Sequence, residues 1–133
     1  MTRLVAIGVG CRAGCADDAI TRLVEQALAA LPARYAACGM ALYTIEDKRH
    51  EAGLVKAAEH LGLTLAFLSR DLLQAAMPGV ATRSPAADVR FGVASVSEAS
   101  ALAGAGPGAT LLVKRIAAEG ATCAIAAPPE ETP

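Results

Sequence analysis

Residues 4–14 have the sequence LVAIGVGCRAG. The apolar start of this segment predicts a short buried strand, and its glycines Gly8, Gly10 and Gly14 predict a turn that another group approaches closely. An amphipathic helix is expected to follow from Asp17. Where a strand of an α/β sheet runs through glycines into a helix, free backbone N–H groups point outward and favour anionic ligands. We therefore expect this turn to form one wall of the functional site.

The length and composition of the chain limit its architecture and its partners. A chain of 133 residues forms one domain. Its net charge of −1, with two Phe, two Tyr and no Trp, argues against a nucleic-acid surface. No apolar run reaches the roughly 20 residues that span a bilayer, and no secretory signal is visible. We therefore expect no nucleic acid or membrane among its partners, and a cytoplasmic location.

The four cysteines are predicted to be reduced thiols, because they lack CxxC spacing. They are Cys11, Cys15, Cys38 and Cys123. Neither histidine forms a metal-ligand pattern with them, so the sequence predicts no metal site and no cofactor. Cys11 lies close to a helix N-terminus, where the thiolate is favoured, which raises the alternative of a reactive thiol.

Apolar spacing and cap residues predict helices alternating with strands. After the first strand, the expected elements are a helix at 17–31, a strand at 40–45, a helix capped by Asp47 and ended by Gly62, a strand at 63–68 and a short helix capped by Ser69. The remainder are a long mobile loop at 77–90, a strand at 91–94, a helix from the capping box Ser95-x-x-Glu98, a hairpin of strands 111–116 and 121–126, and a disordered tail at 128–133.

This order predicts an α/β fold, specifically a three-layer α/β/α single domain over residues 1–127. Its mixed sheet would end in a C-terminal antiparallel hairpin. The loop at 77–90 has the length of a functional lid. The strand order is not predictable from the sequence.

Several residues are candidates for the functional site, each with a structural alternative. The segment from Gly8 to Ala13 meets the relaxed dinucleotide pattern G-x-G-x-x-A, but the acidic residue expected about 20 positions later is missing. Three interpretations of this segment remain open: a turn without a ligand, a nicotinamide site and a site for another anion. Arg12 favours the third, because a guanidinium is well shaped to bind a carboxylate. Lys48 and Glu51 are expected at the start of the second helix, as either a ligand-facing or a solvated surface pair.

Glu98 and Lys114 are the remaining charged candidates. Glu98 is predicted to be a helix-capping residue, with a role as catalytic acid or base as the alternative. Lys114 follows an apolar run on a strand that should be largely buried, so its ammonium needs either a partner or a path to solvent.

Five blocks along the chain resemble one known family. They are Gly8-x-Gly10-Cys11-Arg12-x-Gly14, Thr44…Lys48-x-x-Glu51-x-Gly53-Leu54, Gly92-Val93-x-Ser95-Val96-x-Glu98-Ala99, Leu111-Leu112-x-Lys114 and Thr122-x-Ala124-Ile125-Ala126. In this order they are similar to the CobE/CbiG C-terminal domain family of cobalamin biosynthesis, in its free-standing form. The longer CbiG proteins carry a further N-terminal region that this sequence lacks.

The resemblance implies a cytoplasmic role in building the corrin ring. CbiG proteins open the ring-A δ-lactone of a cobalt-precorrin and release acetaldehyde, which implies either a hydrolase that assists this step or a non-catalytic carrier or accessory subunit of another pathway enzyme. The implied ligand is an anionic precorrin or cobalt-precorrin intermediate; a nucleotide-binding enzyme is the second alternative. The predicted substrate-binding residues are Gly8, Gly10, Cys11, Arg12, Gly14, Thr44, Lys48, Ser95 and Lys114. The predicted catalytic residues are Glu51, Glu98 and Lys48, with residues 77–90 closing over the ligand.

Overall fold

A single mixed sheet organises the molecule, as seen in a computed structural model that describes residues 4–83 and 91–129. Its strands are β1 (Leu4–Cys11), β2 (Gly39–Ile45), β3 (Leu65–Leu68), β4 (Thr110–Ala118) and β5 (Ala121–Ala127). Their order across the sheet is β3-β2-β1-β5-β4. The first three strands are parallel neighbours, and β5 is antiparallel to both β1 and β4. The predicted mixed sheet with a C-terminal hairpin is confirmed.

Helices cover both faces of this sheet, which confirms the three-layer α/β/α architecture. They are α1 (Asp17–Ala29), α2 (Ala52–Leu61), α3 (Arg70–Ala75) and α4 (Val96–Ala105), with short 3-10 helices at Ala33–Tyr35, Glu46–Lys48 and Met77–Gly79. The buried stripes of α1 and α2 pack on one face, whereas α3 and α4 pack on the other. Within the described residues, no helix is long and apolar enough to cross a bilayer.

The alternation of β1 explains how the two faces differ. Val5, Ile7 and Val9 are fully buried against α1 and α2. The residues between them are small and face α4. A Cβ atom added to Gly8 would lie 1.9 Å from the carbonyl oxygen of Ser97, so only glycine allows α4 to sit this close to the sheet. The close approach predicted for this glycine is therefore made by a helix of the same chain.

Residues 91–94 do not form the predicted fourth strand. Gly92 has a positive φ of 70°, which breaks an extended conformation. Phe91 and Val93 are buried in a cluster with Ile45, on the face that carries α3 and α4. The fourth strand of the chain is instead the first strand of the hairpin.

Two other local predictions also need correction. Helix α2 begins at Ala52 with Glu51 at its N-cap position, whereas Asp47 lies in a 3-10 helix and pairs with Arg70. The first part of the predicted mobile loop is held in place: Met77–Gly79 is helical, and the backbone at 81–82 is hydrogen-bonded. Residues 84–90 and 130–133, and with them the rest of the loop and most of the predicted tail, lie outside the described residues.

The hairpin between β4 and β5 turns at Glu119 and Gly120. Both residues have positive φ angles, 53° and 85°, as a two-residue turn of type I′ requires. The pairing of β4 with β5 shifts register twice, between Leu111 and Val113 and between Val113 and Ile116. These bulges change the directions of the side chains on β4.

Candidate functional site

A cleft of about 470 Å³ opens at the C-terminal end of β1, between the turn of the hairpin and the N-terminus of α4. We call it the arginine cleft. Its lining residues are Gly10, Cys11, Arg12, Phe91, Ser95, Val96, Arg115, Ala117, Ala118, Glu119, Gly120, Ala121 and Thr122. In open α/β sheets, ligands bind outside the carboxyl ends of strands where the order of strands reverses, and β1 is that position here. The cleft is therefore the candidate site.

Two guanidinium groups line the arginine cleft. Arg12 follows β1, its backbone N–H donates to the carbonyl of Gly120 at 2.9 Å, and its side chain extends along that glycine. Arg115 is half-buried on β4. The carboxylate of Glu119, which also lines the cleft, pairs with Arg22 at 2.7 Å. Within residues 4–83 and 91–129, neither Arg12 nor Arg115 pairs with a carboxylate, so the cleft is electropositive.

Cys11 also lines the cleft, and its thiol is protonated at neutral pH. Burial raises the pKa of this thiol to about 11, while the nearby charge of Lys48 opposes that rise. Lys48 itself is only 8% exposed and forms no ion pair in the part of the chain that the structure describes. It does not line the cleft. Burial thus keeps Cys11 as a neutral thiol, which argues against the alternative of a reactive thiolate.

Two of the other predicted site residues, Glu51 and Thr44, have structural partners. Glu51 accepts a hydrogen bond from the backbone N–H of Gly14 at 2.9 Å. Thr44 is fully buried, and its hydroxyl donates to the carbonyl of Val9 at 2.6 Å. The first contact joins the start of α2 to the turn after β1, and the second joins β2 to β1.

The residues predicted from α4 and β4 have different environments. Ser95 lines the cleft and caps α4, because its hydroxyl accepts from the N–H of Glu98. Glu98 is fully buried and does not line the cleft. Lys114 is exposed and also lies outside the lining, where its neighbour Arg115 takes the place predicted for it. Sequence reasoning missed Arg115, because the bulge that turns it into the cleft has no signal in residues 111–116.

Gly8 and Gly10 lie inside β1 and not in the predicted turn, and they do not form a dinucleotide site. Gly8 is covered by the backbone of α4, and a Cβ atom on Gly10 would lie 2.6 Å from the hydroxyl of Thr122. A pyrophosphate therefore has no access to Gly8. A dinucleotide site requires the pyrophosphate to approach the backbone at such a glycine, so the structure does not support the nucleotide interpretation. Gly14, with a φ of 74° and open space around it, is the one glycine of the three that is required for turn conformation.

Another cavity, of about 300 Å³, has no charged lining residue. It lies between α3 and the loop after α4, with Leu72, Pro78, Leu102 and Pro107 among its walls. Among the described residues, no group of three or more His, Cys, Asp or Glu side chains is arranged to hold a metal ion. The arginine cleft is the better candidate for a polar ligand.

Comparison with known proteins agrees with this architecture. The family model for the C-terminal part of cobalamin synthesis protein G matches residues 5–126. The chain belongs to the CobE/CbiG C-terminal family of cobalamin biosynthesis proteins. The resemblance indicated by the five sequence blocks is confirmed.

Relatives of this family match almost the whole chain. Protein CobE from a Sinorhizobium species is 32% identical over 125 residues, which are 93% of this chain and 80% of that protein. The crystal structure of CobE, a protein from the cobalamin (vitamin B12) biosynthetic pathway, matches with a TM-score of 0.85 and 31% identity, over 99% of this chain and 95% of the other. Cobalamin biosynthesis protein chiG from Agrobacterium tumefaciens matches with a TM-score of 0.67 and 32% identity, over 95% and 99% of the two chains.

Proposed function

We propose that this protein binds an anionic, precorrin-type tetrapyrrole intermediate of corrin-ring synthesis in the arginine cleft, in the cytoplasm. The observation that carries the proposal is that Arg12 and Arg115 line one cleft without a carboxylate partner among the described residues. Intermediates of this class are flat macrocycles edged with several carboxylates. A guanidinium binds a carboxylate through two parallel hydrogen bonds, which suits such an edge.

The walls of the cleft fit the rest of such a ligand. Alanines from β4 and β5 and the ring of Phe91 supply apolar surface for the face of a macrocycle. Ser95 and Val96 bring the N-terminus of α4 to the same cleft, and its partial positive charge adds to that of the arginines. The volume of about 470 Å³ is that of a small-molecule site, so the cleft would hold one edge of the macrocycle and leave the rest of the ring outside it.

The positions of the two glutamates favour binding without chemistry over lactone opening. A general base must come within hydrogen-bond reach of the proton that it removes. Glu98 is enclosed, and Glu51 accepts from Gly14. A carrier role requires cationic groups that bind the ligand and no catalytic glutamate, so it is the form of the proposal that the geometry supports best.

A titration followed by absorbance tests the binding. Cobyrinic acid is a stable corrinoid polycarboxylate, and its fully methyl-esterified form is the matched uncharged control. We expect the acid to bind and the ester to bind at least about tenfold more weakly, since charged hydrogen bonds supply the affinity. The substitution Arg12→Ala should weaken binding of the acid by about tenfold, whereas Lys56→Ala, which removes an exposed lysine from α2, should leave it unchanged. Equal affinity for acid and ester would overturn the proposal.

A second assay separates the carrier from the enzyme. Acetaldehyde release is measured from a precorrin-type lactone incubated with the wild-type protein and with Glu51→Gln. The carrier form expects no release above background from either protein. Release by the wild type that the substitution abolishes would instead support ring-A lactone opening.

A further inference from the structure

Glu98 is a buried carboxylate that joins three segments behind the arginine cleft. Its Oε1 atom accepts hydrogen bonds from the backbone N–H groups of Ala81 (2.9 Å) and Thr82 (2.7 Å). Its Oε2 atom accepts from the hydroxyl of Thr82 and from the backbone N–H of Arg115, both at 2.9 Å. Bonds to a charged acceptor in a buried site are strong and strongly directional. The carboxylate therefore fixes residues 81–82 and β4 relative to α4.

The bond to Arg115 depends on a bulge in β4. Val113 pairs with Ile125, and Ile116 pairs with Cys123, so three steps along β4 match two along β5. A bulge of this kind leaves a residue out of the ladder and re-aims its side chain. The freed N–H of Arg115 goes to Glu98, and its side chain goes to the cleft. Lys114, the other residue in the bulge, is exposed outside the cleft.

We propose that Glu98 is a positioning residue that holds the guanidinium of Arg115 in the arginine cleft. Arg115 would then bind one carboxylate of the ligand while Arg12, held from the other side by Gly120, binds a second. This inference rests on the proposed function, because it specifies which residues recognise the anionic edge of the ligand. It also gives the buried glutamate a role that needs no contact with the ligand.

A double-mutant cycle measures whether Glu98 acts through Arg115. Glu98→Gln keeps the size of the side chain but places an amide NH₂ against groups that donate, so at least one of its bonds is lost. For cobyrinic acid we expect about a tenfold loss of affinity from Arg115→Ala and about a threefold to tenfold loss from Glu98→Gln. In the Arg115→Ala background, Glu98→Gln should cause no further loss. In the Arg12→Ala background, its effect should persist in full.

The outcomes of this cycle distinguish positioning from general support of the fold. If Glu98→Gln weakens binding by the same factor with and without Arg115, the residue acts on the whole domain and the inference is wrong. If Arg115→Ala binds as tightly as the wild type, the inference is also wrong, although the proposed function can survive through Arg12. If the wild type itself does not prefer cobyrinic acid to its ester, the proposed function fails instead.

Amide hydrogen exchange tests the underlying contact without any ligand. Because its N–H donates to a buried carboxylate, Arg115 should exchange at least about tenfold more slowly than an unprotected amide of the same local sequence. Glu98→Gln should remove most of this protection while the amides of β1 stay protected. Exchange of Arg115 in the wild type at the unprotected rate would overturn the inference, even if the variant failed to fold.

Discussion

The carboxylate of Glu51 accepts a hydrogen bond of 2.9 Å from the backbone N–H of Gly14, so a residue at the N-cap position of α2 closes the turn that follows β1. The N–H group of Gly14, which the sequence predicts to bind an anionic ligand, is thus bonded to a carboxylate of the protein itself. The arginine cleft lies beside this turn, on the side of Arg12 and the hairpin. Of the segment around this turn, Gly10, Cys11 and Arg12 line the arginine cleft, whereas the N–H of Gly14 is already bonded to Glu51.

Replacing Glu51 should lower stability without removing ligand binding. We expect Glu51→Ala to reduce the free energy of unfolding by about 1 kcal/mol, because a half-exposed hydrogen bond to a charged group is lost. Glu59→Ala, at an exposed position on the same helix, should change it by less than about 0.5 kcal/mol. Urea denaturation measures both. A loss of affinity for cobyrinic acid with unchanged stability would place Glu51 in the site instead.

The contact between Gly8 and α4 predicts a severe effect of a single methyl group. A Cβ atom at this position would lie 1.9 Å from the carbonyl oxygen of Ser97 and 2.5 Å from the backbone nitrogen of Ala101. Both neighbours are backbone atoms of a packed helix, so Gly8→Ala should lower the free energy of unfolding by more than about 3 kcal/mol. Gly62→Ala is the control: no atom lies within 4 Å of the added methyl, and its φ of 68° should cost about 1 kcal/mol. Similar losses from the two substitutions would contradict the packing described here.

The hydroxyl of Thr44 should prove important for stability. Its bond to the carbonyl of Val9 is fully buried, so Thr44→Val leaves that carbonyl without this donor and should cost about 2 kcal/mol. Thr44→Ser keeps the hydroxyl and should cost about 1 kcal/mol through the lost methyl group. Thermal unfolding of the two variants measures the difference. A Val variant as stable as the wild type would show that the hydrogen bond to Val9 does not contribute to the free energy of unfolding.

The buried thiols make stability fall at alkaline pH. Burial raises the pKa of Cys11 from 9.0 to about 11 and that of Cys123 from 9.0 to about 12. Above pH 9 the unfolded chain loses these protons while the folded chain keeps them, so the free energy of unfolding falls as the pH rises from 9 towards 12. This stability is fully present below pH 9. Urea denaturation at a series of pH values should show the fall, and Cys11→Ser should reduce its slope between pH 9 and 11.

Alkylation of Cys11 gives an independent check of the same shift. Because the thiolate is the reactive form, the rate of reaction with iodoacetamide should keep rising up to a pH of about 11 in the folded protein. In the urea-unfolded chain the rate should level off near pH 9. Mass spectrometry of the peptide that contains Cys11 follows both reactions. A plateau near pH 9 in the folded protein would show that burial does not control this thiol.

Local patterns were sufficient to predict most of the fold but only part of the site. The strand before Gly8, the capping role of Ser95 and the closing hairpin depend on neighbouring residues, and all three are present. The packing of Gly8 against Ser97 and the bulge at Arg115 depend on segments that are distant in the sequence. The periodicity of apolar residues carries no information about such contacts. For this reason the sequence placed Lys114 in the site, whereas the cleft is lined by Arg115. The strand predicted at Phe91–Ala94 is absent for a related reason. Its apolar residues Phe91 and Val93 are buried in a hydrophobic cluster and do not pair with another strand.

The position of β5 has a consequence for biosynthesis of the protein. This strand leaves the ribosome after the other four, yet it separates β1 from β4 in the finished sheet. A nascent chain can assemble the parallel β1–β2–β3 unit early, with one edge of β1 still exposed to unwanted pairing. The wall of the arginine cleft that the hairpin supplies forms only when residues 121–127 have emerged. The arginine cleft is thus complete only in chains whose translation has passed this strand.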